Sequence, residues 1–425
     1  MQRRHWRLCT GLLLTAGCLA QTAAPPRALT WQETEERFRA NNPTLLAGKL
    51  TIDESRADEI TAYLRPNPDF TITADGTQIT PHQGVWTPLA GTFYSPAISY
   101  LHEREHKREL RLASARQATA IAVSTQADLE RNLIYNLRDA FVRVLTAKAV
   151  LAVSKENMAY YDKEIGINRE RYTAGAMSRA DFERIELQRV QYESDLQTAL
   201  VDLRTAKIDL LALMRDRTPI EEFDVEAPFE YADLSSTLPE LRQIALESRP
   251  DVKEAQESLE KARTDHKLSV ANGSTDPTFG LWYTHNGSFN NPEAYNTVGL
   301  SVSIPLRIFD RNQGDKLHTF IDIDRNKKLL DASQVTVLHD VDSAYATVES
   351  TLTLLRPYKE KYLKEAEDVR DTVAFAYQHG AASLLDFLDA AKEYRDTQLN
   401  YANLVGSYLS AANQLNLAVG REVIR

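Results

Sequence analysis

Hydrophobic positions recur along this chain in two rhythms. Between Ala97 and Thr218 there is no proline, and the only glycines are Gly166 and Gly175. Within that stretch Leu133, Leu137, Phe141, Val144, Leu145, Val150 and Leu151 keep helical spacing, with charges between them. The pattern predicts one helix over about 104–172, roughly 100 Å long at about 1.5 Å per residue. A matching helix is predicted over about 313–376, kinked at Pro357. Shorter helices are expected at about 31–64 and 179–215. The first is opened by the capping pattern Thr30-Trp-Gln-Glu33 and broken at Asn42-Pro43. Together the two short helices equal the long one, so stacked end to end they would run antiparallel along it. The result is a long α-hairpin that turns at Gly175. No compact core could support so long a helix alone, so it must lie against other helices.

The second rhythm has a period of two. Val298, Leu300, Val302 and Ile304 alternate with Gly299, Ser301 and Ser303, and Phe70 and Ile72 alternate with Thr71 and Thr73. Strands are predicted at about 69–79, 91–101, 278–286 and 296–306, each the length of a tilted transmembrane strand. Trp86, Phe93, Tyr94, Tyr100, Trp282, Tyr283 and Tyr295 sit in or beside them, which suits an interfacial aromatic girdle. Four strands cannot close a barrel, and an open edge is not tolerated in lipid, so several chains must pool their strands.

The two rhythms are written twice. Tyr172-x-x-Gly175-x-x-Ser178-x-x-Asp181-Phe182 returns as Tyr377-x-x-Gly380-x-x-Ser383-x-x-Asp386-Phe387, at an offset of 205 residues throughout. Asn42-Pro43 answers Arg249-Pro250, and Pro68-Asp69-Phe70 answers Pro277-Thr278-Phe279. A near-constant offset over the whole chain marks a tandem duplication. The first repeat is placed at 28–218, a linker at 219–237 and the second repeat at 238–425.

Composition narrows the function. The chain has 425 residues, 50 Lys+Arg against 60 Asp+Glu, and a net charge of −10. Such an acidic balance argues against nucleic acid as a partner. Arg3, Arg4 and Arg7 precede a short apolar run, which reads as a signal peptide over residues 1–20. Cleavage after Ala20 would leave a mature charge of −13. Alternatively, Thr15-Ala16-Gly17-Cys18 is a partial lipoprotein box that would place a lipid on Cys18. Both cysteines lie in this leader, so thiol catalysis and disulfide stabilisation are excluded for the exported body.

These features together resemble the TolC-like outer-membrane efflux protein family, the exit ducts of tripartite efflux pumps and type I secretion. The resemblance spans residues 28–425. It is carried by Leu29-Thr-Trp-Gln-Glu33 leading to Asn42-Pro43, by Leu64-Arg-Pro-Asn-Pro-Asp69, by Ser303-Ile-Pro-Leu-Arg-Ile-Phe-Asp-Arg-Asn-Gln-Gly314, and by the doubled Tyr-x-x-Gly-x-x-Ser motif. It implies a mainly α protein with a transmembrane β part: a homotrimer whose four strands per chain close a twelve-stranded barrel in outer-membrane lipid. The hairpins would form a helical tunnel through the periplasm. The tips, with Tyr172, Gly175, Ser178, Gly380 and Ser383, would dock a periplasmic adaptor (membrane fusion) protein that connects to an inner-membrane pump. By the same resemblance Asp386 and Asp389 line the pore constriction, and Asp181 and Tyr377 hydrogen-bond between neighbouring hairpins. The basic residue of that network is replaced by Ala382, leaving Arg179 or Arg184 to substitute. Independently, Asp386 and Asp389 share one helix face at i, i+3 spacing, and a symmetric ring of such carboxylates favours cations. No cofactor is implied and no catalysis is expected.

One motif points elsewhere. His102-Glu103-Arg104-Glu105-His106 satisfies the zinc-peptidase pattern, which needs both histidines on one helix face as ligands and Glu103 as base. Its repeat counterpart, Ile308–Asn312, falls at a strand-to-helix junction, which opposes that reading. A periplasmic coiled-coil scaffold is a further alternative, and it would leave the four strands unexplained.

Overall fold

The computed structural model describes residues 28–424, apart from 82, 90 and 287–294. The expected signal peptide over residues 1–20, with Cys18 and the expected cleavage after Ala20, lies outside the described residues. Helices α1 (Trp31–Asn41) and α2 (Pro43–Tyr63) lead into strands β1 (Asp69–Asp75) and β2 (Phe93–Leu101). Helices α3 (Lys107–Thr173) and α4 (Arg179–Met214) then form the first hairpin. The order repeats with α5 (Leu238–Ser248), α6 (Pro250–Asn272), β3 (Thr278–Asn286), β4 (Asn296–Ser303), α7 (Gln313–Pro357), α8 (Leu363–Gln378) and α9 (Leu384–Val419).

Helix boundaries have local causes. Thr30 and Glu33 form a reciprocal capping box at the start of α1, and Thr237 with Glu240 does the same for α5. Asn42 ends α1 in an extended conformation and accepts from the Thr44 and Leu45 amides to start α2. Pro357 does interrupt the second long helix. It does so through a single π-turn, Tyr358–Tyr362, that joins α7 to α8.

The helices stand in four columns. On one side of α3 lie α2 and α4; on the other lie α6 and α9, which α7 and α8 cover in turn. Within a column the short helices meet end to end. Arg37 of α1 pairs with Asp216 just past α4 at 3.5 Å, and Arg249 ahead of α6 donates to the Ala418 carbonyl near the end of α9. The strands follow the same order, β1-β2-β3-β4, all antiparallel. Each column therefore continues into one strand.

Apolar seams hold the columns together. Phe38, Leu137, Phe141, Leu210 and Met214 form one core, and Leu241, Val337, Val341, Tyr408 and Leu415 another. At about 1.5–3 kcal/mol for each fully buried side chain, these seams dominate cohesion. The stretch between the repeats is a strap rather than a loose connection. Leu29 bridges Val225, Tyr408 donates to the Ala232 carbonyl at 2.6 Å, and Arg356 pairs with Asp233 at 2.7 Å beside the Pro357 kink.

Register makes the sheet two-faced. Phe70, Ile98, Leu281 and Leu300 lie in one cross-strand row, and Thr71, Ala97, Trp282 and Gly299 in the next. Successive residues face opposite ways, so one face is apolar and the other small or polar. Leu300 is 79% exposed and Val298 70%. Trp282 stands on the small, polar face, so it is no part of a lipid-facing girdle. Trp86 lies in the loop beyond β1, where its indole donates to the Gln78 carbonyl. Among the described residues no helix is long and apolar enough to cross a membrane.

Candidate functional site: the hairpin tips

The doubled motif occupies the two hairpin turns, and each of its residues has a local role. After Thr173 the chain closes with bonds from the Gly175 amide to the Tyr172 carbonyl and from the Ala176 amide to the Arg171 carbonyl. Gly380 and Ala381 repeat both. Gly175 has φ +74 and Gly380 φ +78, and a Cβ on either would meet nothing within 4 Å. The glycines are needed for backbone conformation, not for space. Ser178 and Ser383 then cap α4 and α9 by accepting from the Asp181 and Asp386 amides. Tyr172 stacks on Phe182 at 5.1 Å and 2°, and Tyr377 on Phe387 at 5.0 Å and 13°.

Both aspartates at the third helical position are cap partners. Asp181 accepts from the Ser178 hydroxyl at 2.7 Å. Asp386 accepts from the Ser383 hydroxyl at 2.7 Å and from its amide at 3.0 Å, and these bonds hold its carboxyl below the usual aspartate value. The sequence signal for this role is Ser-x-x-Asp, a capping-box pattern. Asp389 lies one turn further along α9.

Tyr377 does link the two hairpins within the chain. Its hydroxyl donates to Asn168 Oδ1 on α3 at 3.2 Å, in a buried setting, and the Asn168 amide donates in turn to the Glu164 carbonyl. Arg179 pairs with Glu183 on its own exposed helix face, and the guanidinium at the seam is Arg171, 4.8 Å from the Tyr377 ring centre. Burial raises the Tyr377 phenol above its ordinary value, so it is a protonated donor at neutral pH. Asn168 and Arg171 belong to a helical stretch without distinctive spacing, and no sequence signal marked them.

The His102–His106 segment is not a helix. His102 follows β2, and its amide donates to the Pro277 carbonyl at 2.9 Å. His106 sits in the left-handed region just before α3. Glu103 is paired with Arg111. The two histidines share no helix face, and no group of three metal-ligating side chains is found among the described residues. The zinc-peptidase reading is overturned by this geometry.

Comparison with known proteins agrees with the architecture. The "Cobalt-zinc-cadmium resistance protein CzcC" of Cupriavidus metallidurans is 23% identical over 395 residues, covering 92% of this chain and 90% of its own. "Outer membrane protein TolC" of Vibrio cholerae is 21% identical over 427 residues, 96% of this chain and 94% of its own. The crystal structure of CusC matches with a TM-score of 0.76 at 17% identity, covering 92% of each chain. Residues 241–421 match the family model described as outer membrane efflux protein. The second repeat thus carries the outer membrane efflux protein pattern, and the relatives extend the likeness over more than nine-tenths of the chain. The matched stretch starts inside α5 and takes in the second repeat's strands and its tip. The matched family is one of outer-membrane efflux channels, which are not enzymes. These similarities support the role of an efflux exit duct, and the homologues are channels of the outer membrane.

Proposed function

We propose that three copies of this chain assemble into a passive duct that crosses the outer membrane and the periplasm, opening and closing at the hairpin tips. The observation that carries this reading is the shared order of four helical columns and four strands, with both outer edges left without a partner. β1 and β4 each pair on one side only. Alongside them, α4 exposes Leu187, Val190, Val201 and Ile208, at successive intervals of three, eleven and seven residues, while Tyr362 and Val369 stand one heptad apart on the opposite edge. Leu187 is 70% exposed and Val201 60%. Joining edge to edge around a threefold axis closes twelve strands against lipid and twelve columns against one another. The apolar sheet face then meets lipid and the small, polar face lines the lumen.

Lengths agree with this arrangement. A helix of 67 residues spans about 100 Å, which is a periplasmic reach. In the closed tip we place Asp386 and Asp389 of each copy in one ring, and the Tyr172, Gly175, Ser178, Gly380 and Ser383 turns against a periplasmic adaptor coupled to an inner-membrane pump. CzcC is named for resistance to cobalt, zinc and cadmium. An acidic ring suits that cargo class, so divalent cations are the first to assay.

Native mass measurement of detergent-purified protein tests the assembly. A trimer is expected for the natural chain, and Leu187→Asp with Val201→Asp should yield monomers. A natural chain that is monomeric or dimeric, or a double variant that remains trimeric, would remove the basis for edge-to-edge closure.

A further inference from the structure

One carboxylate near the tip has no role in capping or in the proposed ring. Glu164 lies on α3, one helical turn before Asn168, and is only 5% exposed. Its Oε2 is buried without a hydrogen-bond partner. A buried, unpartnered carboxylate oxygen is costly when ionised, since desolvation penalises the charge far more than the acid. The group also stands in the latch between the hairpins. Its backbone carbonyl holds the Asn168 amide at 2.9 Å, and Asn168 receives the Tyr377 hydroxyl. The Gln378 side chain, next to Tyr377 on α8, reaches across the same seam to the Glu164 carboxyl.

We infer that Glu164 is a proton-operated latch: uptake of one proton on its carboxyl tightens the seam between α3 and α8, and its loss loosens that seam and eases opening of the tip. The inference rests on reading the tip as the closing point of the duct. The charged neighbours are few. Lys163 on α3 and Arg370 on α8 favour the ionised form, as does Gln378, but burial outweighs them and pushes the carboxyl above the usual glutamate value. Tyr160, Tyr161 and Tyr377 also face it. Burial raises all three phenols, Tyr160 to about 12, so they stay neutral and supply no compensating charge. Arg370 is itself engaged elsewhere. It pairs with Asp371 at 2.7 Å and lies over the Tyr394 ring at 3.9 Å.

The sign follows from linkage. A carboxyl whose value is raised in the packed seam stabilises that seam fully below the ordinary glutamate value of about 4.3. It loses this contribution as pH rises through the raised value. The closed tip is therefore favoured in acid and loosened towards neutral and alkaline pH. The proton comes from bulk water and returns to it, so no co-reactant is needed.

The test is single-channel current of the full-length protein in planar bilayers between pH 5 and pH 8. Wild type should conduct several-fold more at the alkaline end. Glu164→Gln, an uncharged isostere, should stay at the low-conductance level with a ratio of about one across the range. Gln378→Ala removes a group that favours the ionised form, so its transition should move to higher pH. Native mass of each variant shows that the assembly has formed. A Glu164→Gln protein that keeps the wild-type pH profile overturns the latch. Tyr377→Phe, measured alongside, separates the two readings. If it raises conductance while Glu164→Gln leaves the pH profile unchanged, the tip still closes the duct and only the latch falls. If neither variant alters current, the tip reading falls as well.

Discussion

Tyr377 on α8 donates its phenolic hydrogen to Asn168 on α3, 3.2 Å away across the seam between the two hairpins. The bond is buried, and Arg171 lies against the ring from the α3 side. Two hairpins far apart in sequence are thus tied at the level where the duct would narrow.

Removing that donor should loosen the tip. Tyr377→Phe keeps the stack on Phe387 but leaves the Asn168 acceptor buried with a weaker set of partners. A buried group that loses its partner costs about 1–3 kcal/mol, enough to shift a closed–open balance by roughly tenfold or more. Raised conductance in planar bilayers, with the trimer mass unchanged, is the expected outcome. A current equal to wild type would show that the Tyr377–Asn168 bond does not restrain opening.

Gly175 and Gly380 should be intolerant of side chains even though space is free around them. Both sit at positive φ, where an L-residue pays about 1–2 kcal/mol and a β-branched one more. Gly175→Val or Gly380→Val should disturb the turn, the stacked pairs beside it and adaptor docking, while the distant barrel still assembles. Adaptor crosslinking and an export assay, read beside the trimer mass, measure this. Normal export by both variants would show that the turns are not the docking surface.

In the sheet, Trp282 fills the space beside Gly299, where a Cβ would come within 2.3 Å of the indole. Gly299→Ala should therefore push the indole off the wall and lower the heat resistance of the detergent-solubilised oligomer. Trp282→Ala in the same chain should restore it, because the clash needs both partners. If the double variant is no more heat-resistant than Gly299→Ala alone, the indole is not what that glycine accommodates.

The parts legible in the sequence are those with a strong period. α3 needed only helical spacing and an absence of breakers, and β4 needed only alternation. Pro357 marked its own break. The duplication was visible because the tip motif is local: a stacked ring pair, a glycine turn and a cap, all within eleven residues. What stayed hidden depends on distant partners. Asn168 and Arg171 look like ordinary polar residues of a long helix until α8 is laid beside them. Trp282 is an aromatic in a strand like its neighbours, and only pairing with Gly299 turns it to the small, polar face. The His102–His106 motif failed for the opposite reason. A five-residue pattern carries no information about whether its backbone is helical.

The aspartates at the tip bring the function and the cap into conflict. Asp386 is held below the usual aspartate value by Ser383, and it lends stability to the start of α9 that is present at neutral pH. That contribution is lost as pH falls through the depressed value. In a threefold ring with Asp389, however, like charges oppose full ionisation and push in the other direction. The cap occupies Oδ2 of Asp386 and makes no use of Oδ1. If the ring lines the constriction, the closed duct should select cations at neutral pH and be blocked by multivalent cations. Selectivity should fade in acid at a pH above the free aspartate value of about 3.9 if ring repulsion wins, and below it if the cap wins. Asp389→Ala alone should keep the cap and weaken the block. Asp386→Asn with Asp389→Ala should abolish both selectivity and block while an amide still caps α9. Reversal potentials in asymmetric salt, read for wild type and both variants, decide the matter. Unchanged selectivity in the double variant would place these carboxylates outside the pore.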